Sequence, residues 1–150
     1  MTYKKFSLMM IVSFCIMYII MFLNLDTIKH YHTSITRIYM ALLMVAPMAL
    51  VMLLMMGNMY PSKKVNALIM TASLVVFVTI LIALRTQTPV SDVQYMKAMI
   101  PHHSSAILVS QNANLKDPEV KKLAEKIIQA QVQEIAEMNA LIDKINATQK

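Results

Sequence analysis

The sequence predicts an all-α chain: three transmembrane helices followed by a helical hairpin. Three observations carry that prediction. First, 57% of the 150 residues are apolar and only one is glycine, which leaves few turns of the kind that join strands. Second, three long runs carry no charged residue. Third, the net charge of +6 lies wholly in residues 1–90, where seven Lys or Arg stand against Asp26 alone. Residues 91–150 hold seven Lys and seven acidic residues and sum to zero. Basic residues that flank apolar runs are the membrane pattern. A nucleic-acid surface needs a basic face on a soluble domain, so no nucleic-acid partner is expected.

The membrane domain takes residues 1–85, with spans at 6–25, 38–60 and 65–84. Each is long enough to cross a hydrocarbon core of about 30 Å at about 1.5 Å per residue. The first run is too long for a cleaved signal and lacks a clear small-residue cleavage site. Cys15, the single cysteine, lies within it, so no intrachain disulfide can form. Pro47 falls inside the second span, where neighbouring helices can satisfy the freed carbonyl.

Lys4, Lys5, Lys63 and Lys64 fall at one end of the spans, and Lys29, Arg37 and Arg85 at the other. That bias sets the N-terminus in the cytoplasm and the C-terminal region outside it, in a multi-pass cell (inner) membrane. The second span also carries Met40, Met44, Met48, Met52 and Met56 at four-residue steps. These read as apolar side chains facing lipid or helices, or as a thioether ladder. His30 and His32 lie in the loop between the first two spans, on the expected outer side. They read as a solvated loop or as an accessory metal site.

A linker at 86–90 leads to the hairpin, residues 91–150. Ser91 and Gln94 have capping-box spacing, which starts a helix running to about Asn114. Asp117 and Pro118 have the form of an N-cap and first helical position for a second helix, running to about Ile145. On that second helix Val120, Leu123, Ile127, Met138, Leu141 and Ile145 share one stripe. Gln131 and Glu134 interrupt it. A buried carboxylate without a partner is costly, so Glu134 calls for a partner on the facing helix. The first helix offers Met96, Met99 and His103 on one face, with His102 beside it. Pro101 removes the bond to the Lys97 carbonyl and opens that turn, which is expected to aim both imidazoles toward a common centre. One hairpin buries too little for a stable core, so a four-helix bundle made by a homodimer or higher homo-oligomer is expected.

The strings "MIPHHSSAI" and "DPEVKKLAEKIIQAQVQEIAEMNALI" resemble the domain-of-unknown-function 305 family, a ferritin-like helical family, over about Asp92 to Ile145. The resemblance implies an extracytoplasmic helical bundle associated with copper binding and copper tolerance. It implies Met96, Met99, His102, His103 and Met138 as metal-site residues. Many members carry further methionines after the His pair, at or near the places where this chain has Ser104, Ser105 and Leu108. Thioether sulfur with imidazole nitrogen suits Cu(I) better than hard cations, so copper is the expected cofactor. Gln131 and Glu134 are expected to orient the histidines rather than ligate. The expected partners are membrane lipid, further copies of the chain and a copper-handling protein. The alternative is a structural module that mediates assembly of membrane proteins, with the His–Glu face as packing. No enzyme is expected: no Glu is followed by His three residues later, the pattern of ferritin-like di-iron catalysts, and no Gly-rich phosphate loop occurs.

Overall fold

The computed structural model describes residues 2–56 and 59–148. Among these the protein is all-helical. The helices are α1 (Tyr3–Ile20), α2 (Ile35–Met56), α3 (Lys63–Thr86), α4 (Asp92–Asn112) and α5 (Pro118–Thr148), with one 3-10 turn at Ile28–His30. The first three are long and apolar enough to cross a membrane. The chain forms two compact units. One holds residues 1–21 and 36–89, the other 22–35 and 90–150.

In the first unit α2 presents Ala41, Ala46, Ala49 and Leu53 inward. Small side chains let helices approach closely where no water drives association. Phe6, Ala49, Leu53 and Tyr60 form the core at one end, with Tyr3 stacked on Tyr60 and Phe6 edge-on to it. The Tyr3 hydroxyl donates to Asn66 Oδ1 at 2.9 Å or to the Ser62 carbonyl at 3.0 Å, and accepts from the Ser62 N–H at 3.1 Å. These bonds tie the start of α1 to the α2–α3 connection, so Lys4, Lys5, Lys63 and Lys64 gather at one end. At the other end Tyr39 donates to the Thr88 carbonyl at 2.9 Å, and Arg37 donates to Met21 O at 2.7 Å, beyond the last turn of α1. A cation there complements the negative helix end. The methionine spiral opens outward at Met40, Met44 and Met56, while Met52 packs against the core and accepts from Tyr60.

In the second unit α4 and α5 pair as a hairpin around Met96, Ile100, Ile107, Ile135 and Ile142, with Val93, Ile128, Met138 and Ile145 at the edges. Asp117 Oδ1 accepts from the Glu119 and Val120 N–H groups at 2.8 and 3.1 Å and caps α5 as expected. The buried stripe differs from the expected one. Ile128, Ile135 and Ile142, spaced by seven, face α4, whereas Val120, Leu123, Ile127 and Leu141 are exposed. The reason is Glu134: burying the other stripe would take its carboxylate out of water.

Residues 22–35 add a strap that the single expected boundary at 86–90 does not contain. Its 3-10 turn packs on α4. Ser104 is fully buried. Its Oγ accepts from the Asp26 N–H at 2.9 Å and lies 2.9 Å from His30 Nδ1. Gln94 does not turn back to close the capping box. Ser91 Oγ accepts from the Gln94 N–H at 3.4 Å, but Gln94 Oε1 accepts from the Ile35 N–H at 3.0 Å. The strap therefore runs antiparallel to α4, from Ser104 back to Gln94. Five extended residues reach about 17 Å and ten helical residues about 15 Å, so the lengths match.

Ser104→Ala should loosen the strap without unfolding the hairpin. Losing a net contribution of about 1 kcal/mol corresponds to roughly fivefold faster hydrogen exchange at the Asp26 amide. Exchange in the middle of α5 should not change.

Candidate metal centre

The expected site residues spread over a gradient of burial around α4. Met96 is buried in the hairpin core, and Met138 packs on the edge of that core. Met99 is half-buried, His103 is half-buried and His102 is exposed. The two imidazole centroids are 6.2 Å apart, with ring planes 54° apart. A linear nitrogen–metal–nitrogen link with bonds of about 2.0 Å holds centroids roughly 6.3 Å apart, so this pair sits at the limit for sharing one ion. Pro101 lies inside α4, which continues as helix from Asp92 to Asn112. Its ring is buried on the side of α4 that carries Ser104.

His103 has the partner that the sequence calls for. Its Nδ1 lies 3.2 Å from Glu134 Oε2. The approach is close but not aligned as a hydrogen bond, so its pull is chiefly electrostatic. A carboxylate only accepts, so the proton of the neutral ring is assigned to Nδ1. Nε2 then keeps a free lone pair. One turn before Glu134 on α5, Gln131 Oε1 is buried and makes no hydrogen bond. Glu134 is half exposed, so its charge keeps much of its hydration.

Burial lowers the His103 pKa from the usual 6.5, with Glu134 raising it and His102 lowering it further. The ring is therefore neutral, and able to donate a lone pair, down to a lower pH than a free histidine. Of the accessory pair, His30 is committed at Nδ1 to Ser104. Burial, Lys97 and His30 together lower the His32 pKa. A site beside Lys97 repels cations, so His32 is a poorer metal ligand than its side chain alone suggests. Among the described residues, no three His, Cys, Asp or Glu side chains gather closely enough to hold a metal ion. Donors beyond one or two imidazoles must be thioethers or come from another molecule. Ser104 is the residue that sequence reasoning missed. Nothing local in the sequence marks it, because its partners Asp26 and His30 lie 78 and 74 positions away.

Three helices long and apolar enough to cross a membrane, followed by a hairpin with a His/Met face, define the class of this all-helical protein. The family model for a domain of unknown function (DUF305) matches residues 76–149. An uncharacterized protein, L153, from Acanthamoeba polyphaga mimivirus is 36% identical over 140 residues, spanning 91% of this chain and 90% of that protein. The chain belongs to the DUF305 family. No solved structure matches it.

The His103 titration is directly testable. A folded pKa below 6.5 means that the unfolded chain binds the proton more readily. This group's contribution to hairpin stability is then fully present above about pH 6.5 and is lost as pH falls through 6.5 toward the folded value. NMR should place the His103 midpoint below 6.5, and Glu134→Gln should lower it further. A midpoint above 6.5 would mean that Glu134 outweighs burial.

Proposed function

We propose that this chain is a membrane-anchored, extracytoplasmic copper-binding protein that takes Cu(I) in copper tolerance or handling. The observation that carries the reading is the His103–Glu134 pair. Histidines that bind metals usually direct the second ring nitrogen to a carboxylate, which fixes the tautomer and raises donor strength. Glu134 stands 3.2 Å from Nδ1, where it can take that part, and leaves Nε2 as the nitrogen for an ion. Imidazole and thioether form a donor set for a soft monovalent ion. His103 is the central ligand in this reading, with His102, Met99 and Met138 as further donors and Met96 beneath them in the core. Gln131 and Glu134 orient. Copper would supply only a bound, exchangeable ion. The chain's part is to present neutral donors and keep them apart from competing protons.

The family resemblance supports the copper reading, and the lysines gathered at one end of the spans support the topology. They hold the N-terminus in the cytoplasm. The exposed stripe of α5 favours a second reading, in which the hairpin serves assembly alone. Histidine variants separate the two.

In reducing buffer the full-length protein should bind Cu(I), and replacing His102 and His103 together with Ala should abolish most binding. Glu134→Gln should weaken it about 10- to 100-fold, the usual cost of losing an orienting partner. Met138→Leu, which roughly keeps the volume, should weaken binding with the helices intact. Because burial lowers the His103 pKa, affinity should hold to below about pH 6.5 and fall only as this imidazole takes up a proton, whereas thioethers do not titrate. Unchanged Cu(I) affinity in the double histidine variant would sink the metal reading and leave assembly.

Topology has its own test. A reporter fused after Lys150 should be active only where it needs an extracytoplasmic position. Activity from a cytoplasm-only reporter would reverse the orientation.

A further inference from the structure

The hairpin leaves one coherent face open. On α5 it carries Val120, Leu123, Ile127 and Leu141, which are 37% to 56% exposed. On α4 it carries Met99, His103, Ala106 and Ser110, which by helical spacing fall together. The His103–Glu134 approach shows that both sets lie on the same side of the hairpin. The buried and open stripes of α5 are centred roughly 80–90° apart at about 100° per residue. A helix in a four-helix bundle touches two neighbours at about that angle. The hairpin uses one of these directions and leaves the other without a partner.

We propose that a second copy of this chain fills it, with the two α5 helices antiparallel about a two-fold axis near Val132. The sequence of α5 is self-complementary in that register to within one residue. Leu123 falls opposite the partner's Leu141, Ile127 opposite the partner's Met138, and Val120 opposite the partner's Ile145. Glu134 falls opposite the partner's Ala130, whose small side chain leaves room for the carboxylate to keep water beside its His103 contact. The charges obey the same rule. Glu119, Lys126, Glu137 and Lys144 are exposed along one flank of the stripe. In this pairing Glu119 meets the partner's Lys144, and Lys126 meets the partner's Glu137. Gln133 donates to Glu137 Oε1 at 2.8 Å within its own helix, and the other carboxylate oxygen is left for the lysine. A parallel pairing would instead set each of these charges against its like.

The register also says where the histidines go. Glu134 lies two residues from the axis, so the two copies bring their His103–Glu134 pairs about 6 Å apart along the helix direction. On α4, the level of the axis sets His103 opposite the partner's Ala106 and Met99 opposite the partner's Ser110, both small. This deepens the copper reading by making the second copy a source of the missing donors, but the pairing itself rests on α5 and needs no metal.

The test uses the full-length protein in detergent or nanodiscs, free of metal, in a Cys15→Ser background. Leu123→Cys and Leu141→Cys copies carrying different tags are mixed and treated with a short bismaleimide. Both positions are exposed in the single chain, so circular dichroism should show unchanged helix content. The mixed pair should crosslink. Neither variant should crosslink to itself, because like positions lie about 27 Å apart in this register. Self-crosslinking of the Leu123→Cys copies would mean a parallel pairing, and no crosslink at all would remove the interface. Lys126→Glu or Glu137→Lys alone should weaken self-association about 2- to 30-fold, as expected for two exposed ion pairs. The combined variant should recover most of the loss, and a double variant no better than the singles would overturn the register. A protein that crosslinks but binds no Cu(I) would end the copper reading alone. One that binds Cu(I) without crosslinking would end the pairing alone.

Discussion

Glu134 sits in the middle of the longest apolar stripe on α5, and a carboxylate taken out of water without full compensation costs several kcal/mol. Much of the hairpin's arrangement follows from that constraint. The helix turns a neighbouring stripe, Ile128, Ile135 and Ile142, into the contact with α4. Glu134 is left at the edge of that contact, half in water and 3.2 Å from His103. It can then act on the imidazole without needing to be neutralised. The same choice strands Val120, Leu123, Ile127 and Leu141 on the surface. A carboxylate that cannot be buried in one hairpin thus both orients a histidine and leaves an apolar face unfinished.

Ser104 works in the opposite sense. It is a small polar side chain with no exposure at all, and it is tolerated because its hydroxyl is satisfied by the strap. Oγ accepts from the Asp26 N–H, so its own proton is available for His30 Nδ1, which then carries the lone pair. A methionine at this position would fill the space but could not accept the Asp26 amide in this way. This serine is the residue that fastens residues 22–35 to α4. His30 is drawn into that fastening, which is why a histidine pair in a loop need not be a metal pair.

The helical elements were legible in the sequence because each is fixed by local chemistry. Charge-free runs set the three long apolar helices, Asp117 and Pro118 set the start of α5, and Ser91 set the start of α4. The partner of Glu134 was also legible, since one facing residue with a ring nitrogen lay on the expected face. The choice between two apolar stripes on α5 was not. Residues 120–145 carry apolar side chains on adjacent faces, and periodicity alone favoured the more continuous one. Only the position of Glu134 relative to α4 decides between them. The strap was not legible either. Its bonds join positions 59 to 78 apart in sequence, and nothing local marks Gln94 as reaching for Ile35 rather than for its own helix end.

The strap bears on why the two units share one chain. It is the connection between α1 and α2, and it completes the surface of α4 at Ser104 and Gln94. A hairpin severed from the spans would lose the groups that satisfy both side chains, leaving a buried hydroxyl without its partners at a cost of about 1–3 kcal/mol. The connection between α1 and α2 thus belongs to the hairpin unit, and the chain passes between the units at 21–22, 35–36 and 89–90. A relative that kept only the hairpin would need another way to cover this face. The mimivirus protein is similar across 91% of this chain, so the likeness runs through spans, strap and hairpin together.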